Sequence, residues 1–158
     1  MLVFRPASPE DPDAQEILSA YFAMRAAEFP GGTYSPVAPS PSAFTEPVGV
    51  LLLAEHDGGV VGCGGIRLLE HLDGRVYEVK HVFLRPETRG RGWGRHLLEE
   101  LERRARAWEA TALVLDTHHT LASAGHLYLR TGFVEIPAYN DNPNATRWYR
   151  KDLVGDER

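Results

Sequence analysis

Arg89-Gly90-Arg91-Gly92-Trp93-Gly94 lies between an extended run, Val79 to Leu84, and a run with helical spacing from about Gly92 to Trp108. Three glycines within five residues let the backbone turn tightly and come close to a ligand. The N–H groups that open the following helix have no intrahelical acceptor. Such a corner is an anion seat, because the helix dipole and the free N–H groups both favour negative charge. Arg89, Arg91 and Arg95 add full charges on the loop and the first turn.

The spacing excludes two familiar phosphate loops. A Walker A loop ends in Gly-Lys-Ser/Thr, and no such triplet occurs; a dinucleotide fingerprint reads G-x-G-x-x-G, whereas Gly90, Gly92 and Gly94 read G-x-G-x-G. Arg89, Gly92 and Gly94 do satisfy Arg/Gln-x-x-Gly-x-Gly/Ala. In this the segment resembles the acyl-CoA loop of the GNAT superfamily of N-acetyltransferases.

At 158 residues the chain suits one domain, 1–158, with a substantial core. Hydrophobic content of 43% and charged content of 25% are those of an ordinary globular protein. A net charge of −5 argues against general nucleic-acid binding. Seven arginines nevertheless crowd the stretch from Arg85 to Arg106, a local positive field suited to a small polyanion. The lone Cys63 cannot form an internal disulfide, and neither a leader pattern nor a long apolar run is seen, so a cytoplasmic location is expected.

The chain reads as strand, helix, three antiparallel strands, helix, strand, helix and two strands. Leu2 to Arg5 is β-prone, Ser8-Pro9 and Asp11-Pro12 each offer a helix start, and Ala14, Ile17, Leu18, Tyr21, Phe22 and Arg25 form the stripe of the helix that follows. Phe29 to Pro47, with five prolines and two glycines, is a loop with at most one short helical turn. Val50 to Glu55 and Val60 to Leu68 flank Asp57-Gly58-Gly59, a hairpin signal, and Gly62, Gly64 and Gly65 imply a bulge or a close backbone contact in the second run. Val76 to Leu84 is the next strand. The helix after the corner buries Leu97, Leu98, Leu101, Ala105 and Trp108 and offers Glu99–Arg103, Glu100–Arg104 and Glu102–Arg106 as surface pairs. Ala112 to Asp116 reads as a buried parallel strand, Ala122 to Arg130 as a helix capped by Gly132, and Phe133 to Ile136 and Thr146 to Lys151 as closing strands.

A second segment, Leu127-Tyr128-Leu129-Arg130-Thr131-Gly132-Phe133, is similar to the GNAT Leu-Tyr-x-x-x-Gly-Phe close, and Pro137 to Pro143 resembles the ending of a bacterial subgroup. The resemblance spans nearly the whole chain. It implies an α/β (α+β) GNAT fold: a mixed, mostly antiparallel central sheet with a splayed parallel strand pair and flanking helices. It implies acetyl-CoA as cofactor, with Val82, Phe83 and Leu84 along the pantetheine arm and Arg89, Gly90, Arg91, Gly92, Trp93, Gly94 and Arg95 on the diphosphate. Leu121 departs from the pattern, which often has Asn there.

Acetyl transfer needs a neutral amine, a route for its proton, donors for the oxyanion and an acid for the thiolate. Glu78 stands at the offset of the general-base glutamate in one branch of the superfamily; the alternatives are a salt-bridged carboxylate there and a water chain as the base. Tyr128 matches the tyrosine that protonates the thiolate, and a backbone N–H near Val82 or Phe83 is the expected oxyanion donor. Strict alternation would put Glu78, Lys80, Val82 and Leu84 on one face of the strand and His81 and Phe83 on the other. Tyr21, Arg25, Tyr34 and Tyr139 are expected around the acceptor by analogy, and His118 and His119 follow a strand end where ligands often bind. No third residue completes a metal site at a recognisable spacing, so no metal is expected.

The function expected is acetyl transfer from acetyl-CoA to the amine of a small molecule. The alternatives are a protein or peptide N-acetyltransferase and a non-catalytic acyl-CoA sensor. The expected partners are a small-molecule amine and, as an open option, a second copy of the chain, with no nucleic acid and no membrane.

Overall fold

The computed structural model describes residues 1–31 and 34–153. In chain order it has β1 (Leu2–Pro6), α1 (Pro12–Glu28), β2 (Gly49–His56), β3 (Gly59–Leu69), β4 (Val76–Leu84), α2 (Trp93–Ala107), β5 (Ala112–Thr117), α3 (Ala122–Arg130), β6 (Val134–Ile136) and β7 (Arg147–Asp152). The strands form one sheet, ordered β1-β2-β3-β4-β5-β7-β6, in which only β4 and β5 run parallel. This is the mixed, mostly antiparallel architecture expected. Within the loop before β2, Pro41–Phe44 forms a 3₁₀ turn, while Gly32 of that loop lies outside the described residues.

Local chemistry accounts for the boundaries. Pro12 at the first helical position follows Asp11, whose carbonyl accepts the first α1 bond from Gln15. The β2–β3 turn has positive φ at Asp57 and Gly58, the combination a tight right-twisted hairpin needs. Both faces of the sheet are covered. Leu97, Leu98, Leu101 and Ala105 of α2 pack with Val50, Leu52, Ile66, Tyr77 and Val79 on one face. Ala14, Ile17 and Leu18 of α1 pack with Leu51, Leu53, Cys63 and Phe83 on the other.

On the outer face of α2, Arg104 pairs with Glu100 at 2.9 Å and Arg106 with Glu102 at 3.0 Å. The expected Glu99–Arg103 pair does not form. Glu99 pairs with Arg95 one turn earlier, at 3.1 Å, and Arg103 reaches three residues back to Glu100, which accepts from two guanidiniums.

Two irregularities shape the centre of the sheet. Cys63 pairs with Phe83 but Gly65 pairs with Lys80, so Gly64 alone opposes His81 and Val82. This is a β-bulge on β4, with His81 at φ 60. An extra residue reverses the alternation, which corrects the face assignment made from the sequence. Tyr77, Val79 and Val82 face the α2 side, whereas His81 and Phe83 turn to the α1 side that Glu78 and Lys80 also face. The second irregularity is a parting of strands. β4 pairs with β5 only at Val76–Ala112, Tyr77–Leu113 and Glu78–Val114, although β5 stays paired with β7 as far as Thr117. Past Glu78, the β4 edge that faces β5 has no strand partner.

Gly62 holds β3 close beneath this region, since a Cβ there would lie 2.4 Å from the Phe83 carbonyl oxygen. Gly62→Ala is therefore expected to force the β3–β4 pair apart at a cost of about 2 kcal/mol, a fall in Tm of roughly 4–8 °C by thermal melting.

Candidate active site

The Arg89–Gly94 corner takes the form its sequence implied. Gly92 has φ 76 and caps α2 without any side-chain hydrogen bond. The first helical bond runs from His96 to the Gly92 carbonyl, so the N–H groups of Trp93, Gly94 and Arg95 open the helix without acceptors along it. A Cβ on Gly94 would meet Leu127 of α3 at 2.9 Å, so glycine here lets α3 close against the corner. The Trp93 ring lies 4.8 Å from the His56 ring, and the Arg91 guanidinium sits 4.9 Å from the indole centroid.

A continuous cleft of about 1780 Å³ runs from this corner along β4 and the start of α3 to a chamber beneath α1. Val82, Phe83, Leu84, Arg89, Gly90, Gly92, Trp93, Gly94 and Arg95 all line it; Arg91 does not. Arg95 shares its charge with Glu99. Leu121, at the position where the resemblance favours Asn, also lines the cleft, so that contact is apolar.

Tyr128, from α3, lines the cleft and is only 6% exposed. Its ring is wedged between Phe133 and Tyr149, and burial pushes its pKa up, as do the nearby Tyr21, Asp116 and Tyr149. The hydroxyl thus keeps its proton at any physiological pH. Tyr21, Arg25 and Tyr34 also line the cleft. Burial raises the Tyr34 pKa to about 12, with Tyr21 adding to the shift and Arg25 opposing it.

Glu78, His118, His119 and Tyr139 do not line the cleft. Glu78 is 1% exposed, and both its oxygens are engaged: Arg67 donates to Oε1 from Nε at 2.9 Å and Nη2 at 2.8 Å, and Tyr139 donates to Oε2 at 2.6 Å. It touches the cleft only through Arg67, which does line it. His118 is buried, with Nδ1 2.8 Å from the Thr120 hydroxyl and its ring stacked on His119 at 4.5 Å. Desolvation, His119 and Arg25 all lower its pKa.

Residues the sequence reading had not put in the site stand in the chamber wall. Asp116, at the end of β5, accepts from Lys80 at 3.4 Å, from Asn140 at 2.8 Å and from Asn142 at 3.2 Å. Asn140 accepts from Trp148, and Asn142 accepts from the backbone of Asn144. Asn144 in turn donates to the Ser35 carbonyl at 2.7 Å, latching the loop before β2 to the loop before β7. The alternation Asn140-x-Asn142-x-Asn144 was the available signal. His81, turned inward by the bulge, also lines the cleft and meets Tyr21, Phe22 and Phe44 edge-on or tilted at 5.7–5.9 Å. Burial, then Lys80 and Arg67, lower its pKa to about 3. Among the described residues no three His, Cys, Asp or Glu side chains are grouped to hold a metal ion.

An anion corner leading into an unpaired strand edge suits a long phosphorylated thioester. Comparison with known proteins settles the family: residues 14–133 match the model of the acetyltransferase (GNAT) family. The chain belongs to the GNAT acetyltransferase family. Acetyl-CoA is the acyl donor of this family. An IAA acetyltransferase of Azospirillum brasilense is 42% identical over 84 residues, 53% of this chain and 54% of that protein. An amino-acid acetyltransferase of Ralstonia nicotianae is 34% identical over 104 residues, 63% of this chain and 22% of that protein. The chain thus spans about half the length of the first of these curated relatives and less of the second. Among solved structures, a GNAT acetyltransferase of Staphylococcus aureus superposes with TM-score 0.80 at 19% identity, covering 97% of this chain and 99% of that one. A GNAT acetyltransferase of Elizabethkingia anophelis, solved with acetyl-CoA bound, gives 0.65 at 16% identity, covering 96% and 98%. At these identities the likeness is one of GNAT fold. No described helix is long and apolar enough to cross a membrane.

The titrating groups of the GNAT cleft make stability depend on pH at both ends. His81 has a depressed folded pKa, so its contribution is complete above the ordinary 6.5 and is lost as pH falls toward about 3. Tyr34 has a raised one, so its contribution is complete below 10 and is lost as pH rises toward about 12. Thermal melts from pH 3 to 12 are expected to show a plateau between about 6.5 and 10 with falls on either side; His81→Phe should flatten the acid side.

Proposed function

We propose that the protein transfers the acetyl group of acetyl-CoA directly to the amine of a small molecule. The observation that carries this reading is the continuity of the cleft, which joins the N–H-lined corner, the unpaired β4 edge and a chamber closed over by the Ser35–Asn144 latch. Its volume exceeds the roughly 300–1,000 Å³ of a pocket for one drug-sized ligand, leaving room for a donor and an acceptor together. The latch favours a compact acceptor over a polypeptide. The name of the Ralstonia relative, an amino-acid acetyltransferase, supports the same choice.

Acetyl-CoA brings an activated thioester carbonyl. The corner N–H groups and Arg89 hold the diphosphate. The β4 backbone past Glu78 offers hydrogen bonds to the pantetheine amides as an added strand would, and the N–H of Val82 or Phe83, at the end of the His81–Val82 bulge, faces the developing oxyanion. Tyr128, kept protonated, gives its proton to the departing thiolate. We assign Glu78 a supporting part: it fixes Arg67 in the wall, with Tyr139 behind it. The amine proton then leaves through cleft water beside the neutral His81, and a proton from that water restores Tyr128.

The sheet takes in residues from Leu2 to Asp152, and on that basis we treat 1–158 as one transferase domain. The free, buried Cys63 supports a cytoplasmic home.

Thiol release from acetyl-CoA with a panel of amines tests the activity. Tyr128→Phe is expected to lower kcat by about 10²-fold with acetyl-CoA affinity, read by calorimetry, kept within a few-fold. Glu78→Gln should lower Tm while leaving the shape of the pH–rate profile intact; loss of the acid limb would instead make Glu78 the base.

A further inference from the structure

This inference rests on the transferase reading and concerns the acceptor. Two cations of the chamber wall are paired, Arg67 with Glu78 and Lys80 with Asp116. Arg25 of α1 is held differently. It is 8% exposed, yet among the described residues no carboxylate lies within ion-pair distance of its guanidinium. Nη1 donates to the Tyr21 hydroxyl and Nη2 to the Asn144 carbonyl, both at 3.3 Å, and the guanidinium lies 5.0 Å from the Tyr34 ring centroid. Two long bonds to neutral acceptors leave much of a five-donor fork unused. A cation drawn out of water is costly to keep without a counter-ion.

The fold holds it there deliberately. Position 25 continues the buried stripe of α1 through Ala14, Ile17 and Leu18, and Asn144, which accepts from Arg25, is itself fixed by Asn142 and Ser35. Arg25 lines the cleft, the space an acceptor would enter. Its field reaches both the Tyr34 and the Tyr128 hydroxyls, which sets it in the same chamber as the proposed acid. The planar guanidinium matches a carboxylate with two parallel hydrogen bonds.

We propose that Arg25 receives the carboxylate of the acceptor, which is therefore a small aminocarboxylate, with amine and acid on one molecule. Lysine side chains and protein N-termini carry no free carboxylate close to the amine and leave Arg25 uncompensated.

The test is thiol release from acetyl-CoA with each common amino acid, its carboxamide and its decarboxylated amine, with rates referred to the unprotonated fraction of each. The best acceptor is expected to carry the free acid and to exceed its own carboxamide by about 10²-fold in kcat/KM. Arg25→Gln should cut that ratio to less than about 10, chiefly through KM, while Arg25→Lys should keep an intermediate ratio. Should the Gln variant fail to melt cooperatively, the Lys variant carries the comparison. A neutral amine that matches or beats its acid in the wild-type protein overturns the inference, as does a ratio that both variants leave unchanged. Release with a peptide N-terminus and with no amino acid also overturns it, and leaves the transferase reading standing. Absence of heat on titration with acetyl-CoA sinks the transferase reading itself.

Discussion

The structure depends on two parallel strands that part before they end. A sheet normally satisfies every backbone group of its inner strands, and an unpaired edge inside a protein is costly. Here β4 and β5 separate after Glu78 and Val114, and the exposed edge becomes one wall of the cleft. Pairing on the other sides pins the parting in place. β4 remains bonded to β3 as far as Leu84, and β5 to β7 as far as Thr117. The gap can neither zip shut nor spread without breaking one of those ladders. The β4 bulge completes the arrangement by turning His81 into the chamber and Val82 onto the α2 core.

The chamber wall is a set of charges cancelled at short range. Glu78 with Arg67 and Tyr139, and Asp116 with Lys80 and two asparagines, put buried carboxylates among enough donors to offset desolvation. Removing either partner of such a pair leaves an uncompensated buried charge, which is costlier than the pair is stabilising. These clusters join elements far apart in the chain, such as β4 to the loop before β7. They give the wall a fixed shape.

The corner was legible because its determinants are local. Gly92, Gly94 and Arg89 lie within six residues, and the flanking strand and helix announce themselves by period. The helices and turns were legible for the same reason, down to the Asp57-Gly58 turn, with Pro12 rather than Pro9 opening α1 of the two starts the sequence offered. The face of each β4 side chain was not. Gly62, Gly64 and Gly65 signalled a bulge or close contact in β3, and β3 does carry an extra residue, Val61, against β2 and a close contact at Gly62; the second bulge, on β4, depends on the pairing register, a tertiary property. The surroundings of Glu78 were hidden likewise, since its partners Arg67 and Tyr139 lie 11 and 61 residues away. Offset alone suggested a base; the hydrogen bonds show a carboxylate with both oxygens engaged. The Asp116 network escaped notice because asparagines in a turn-rich loop look like turn chemistry until their acceptor is known.

The composition of the chamber also bears on the state of an amine within it. Transfer needs a lone pair, whereas a free alkyl amine is mostly protonated near neutral pH. Burial disfavours an ammonium, and a nearby like charge disfavours it further. Arg25 supplies that charge, His81 is held neutral, and Tyr21 and Tyr34 add walls of low polarity. Of the carboxylates nearest the chamber, Glu78 is occupied by Arg67 and Asp116 by Lys80, while Glu28 lines the cleft from the exposed end of α1. An acceptor anchored through a carboxylate on Arg25 would neutralise only one end of the site. Its amine end would still lie among the rings of Tyr21 and Tyr34 and beside the neutral His81, where burial would disfavour an ammonium before any single base is called upon.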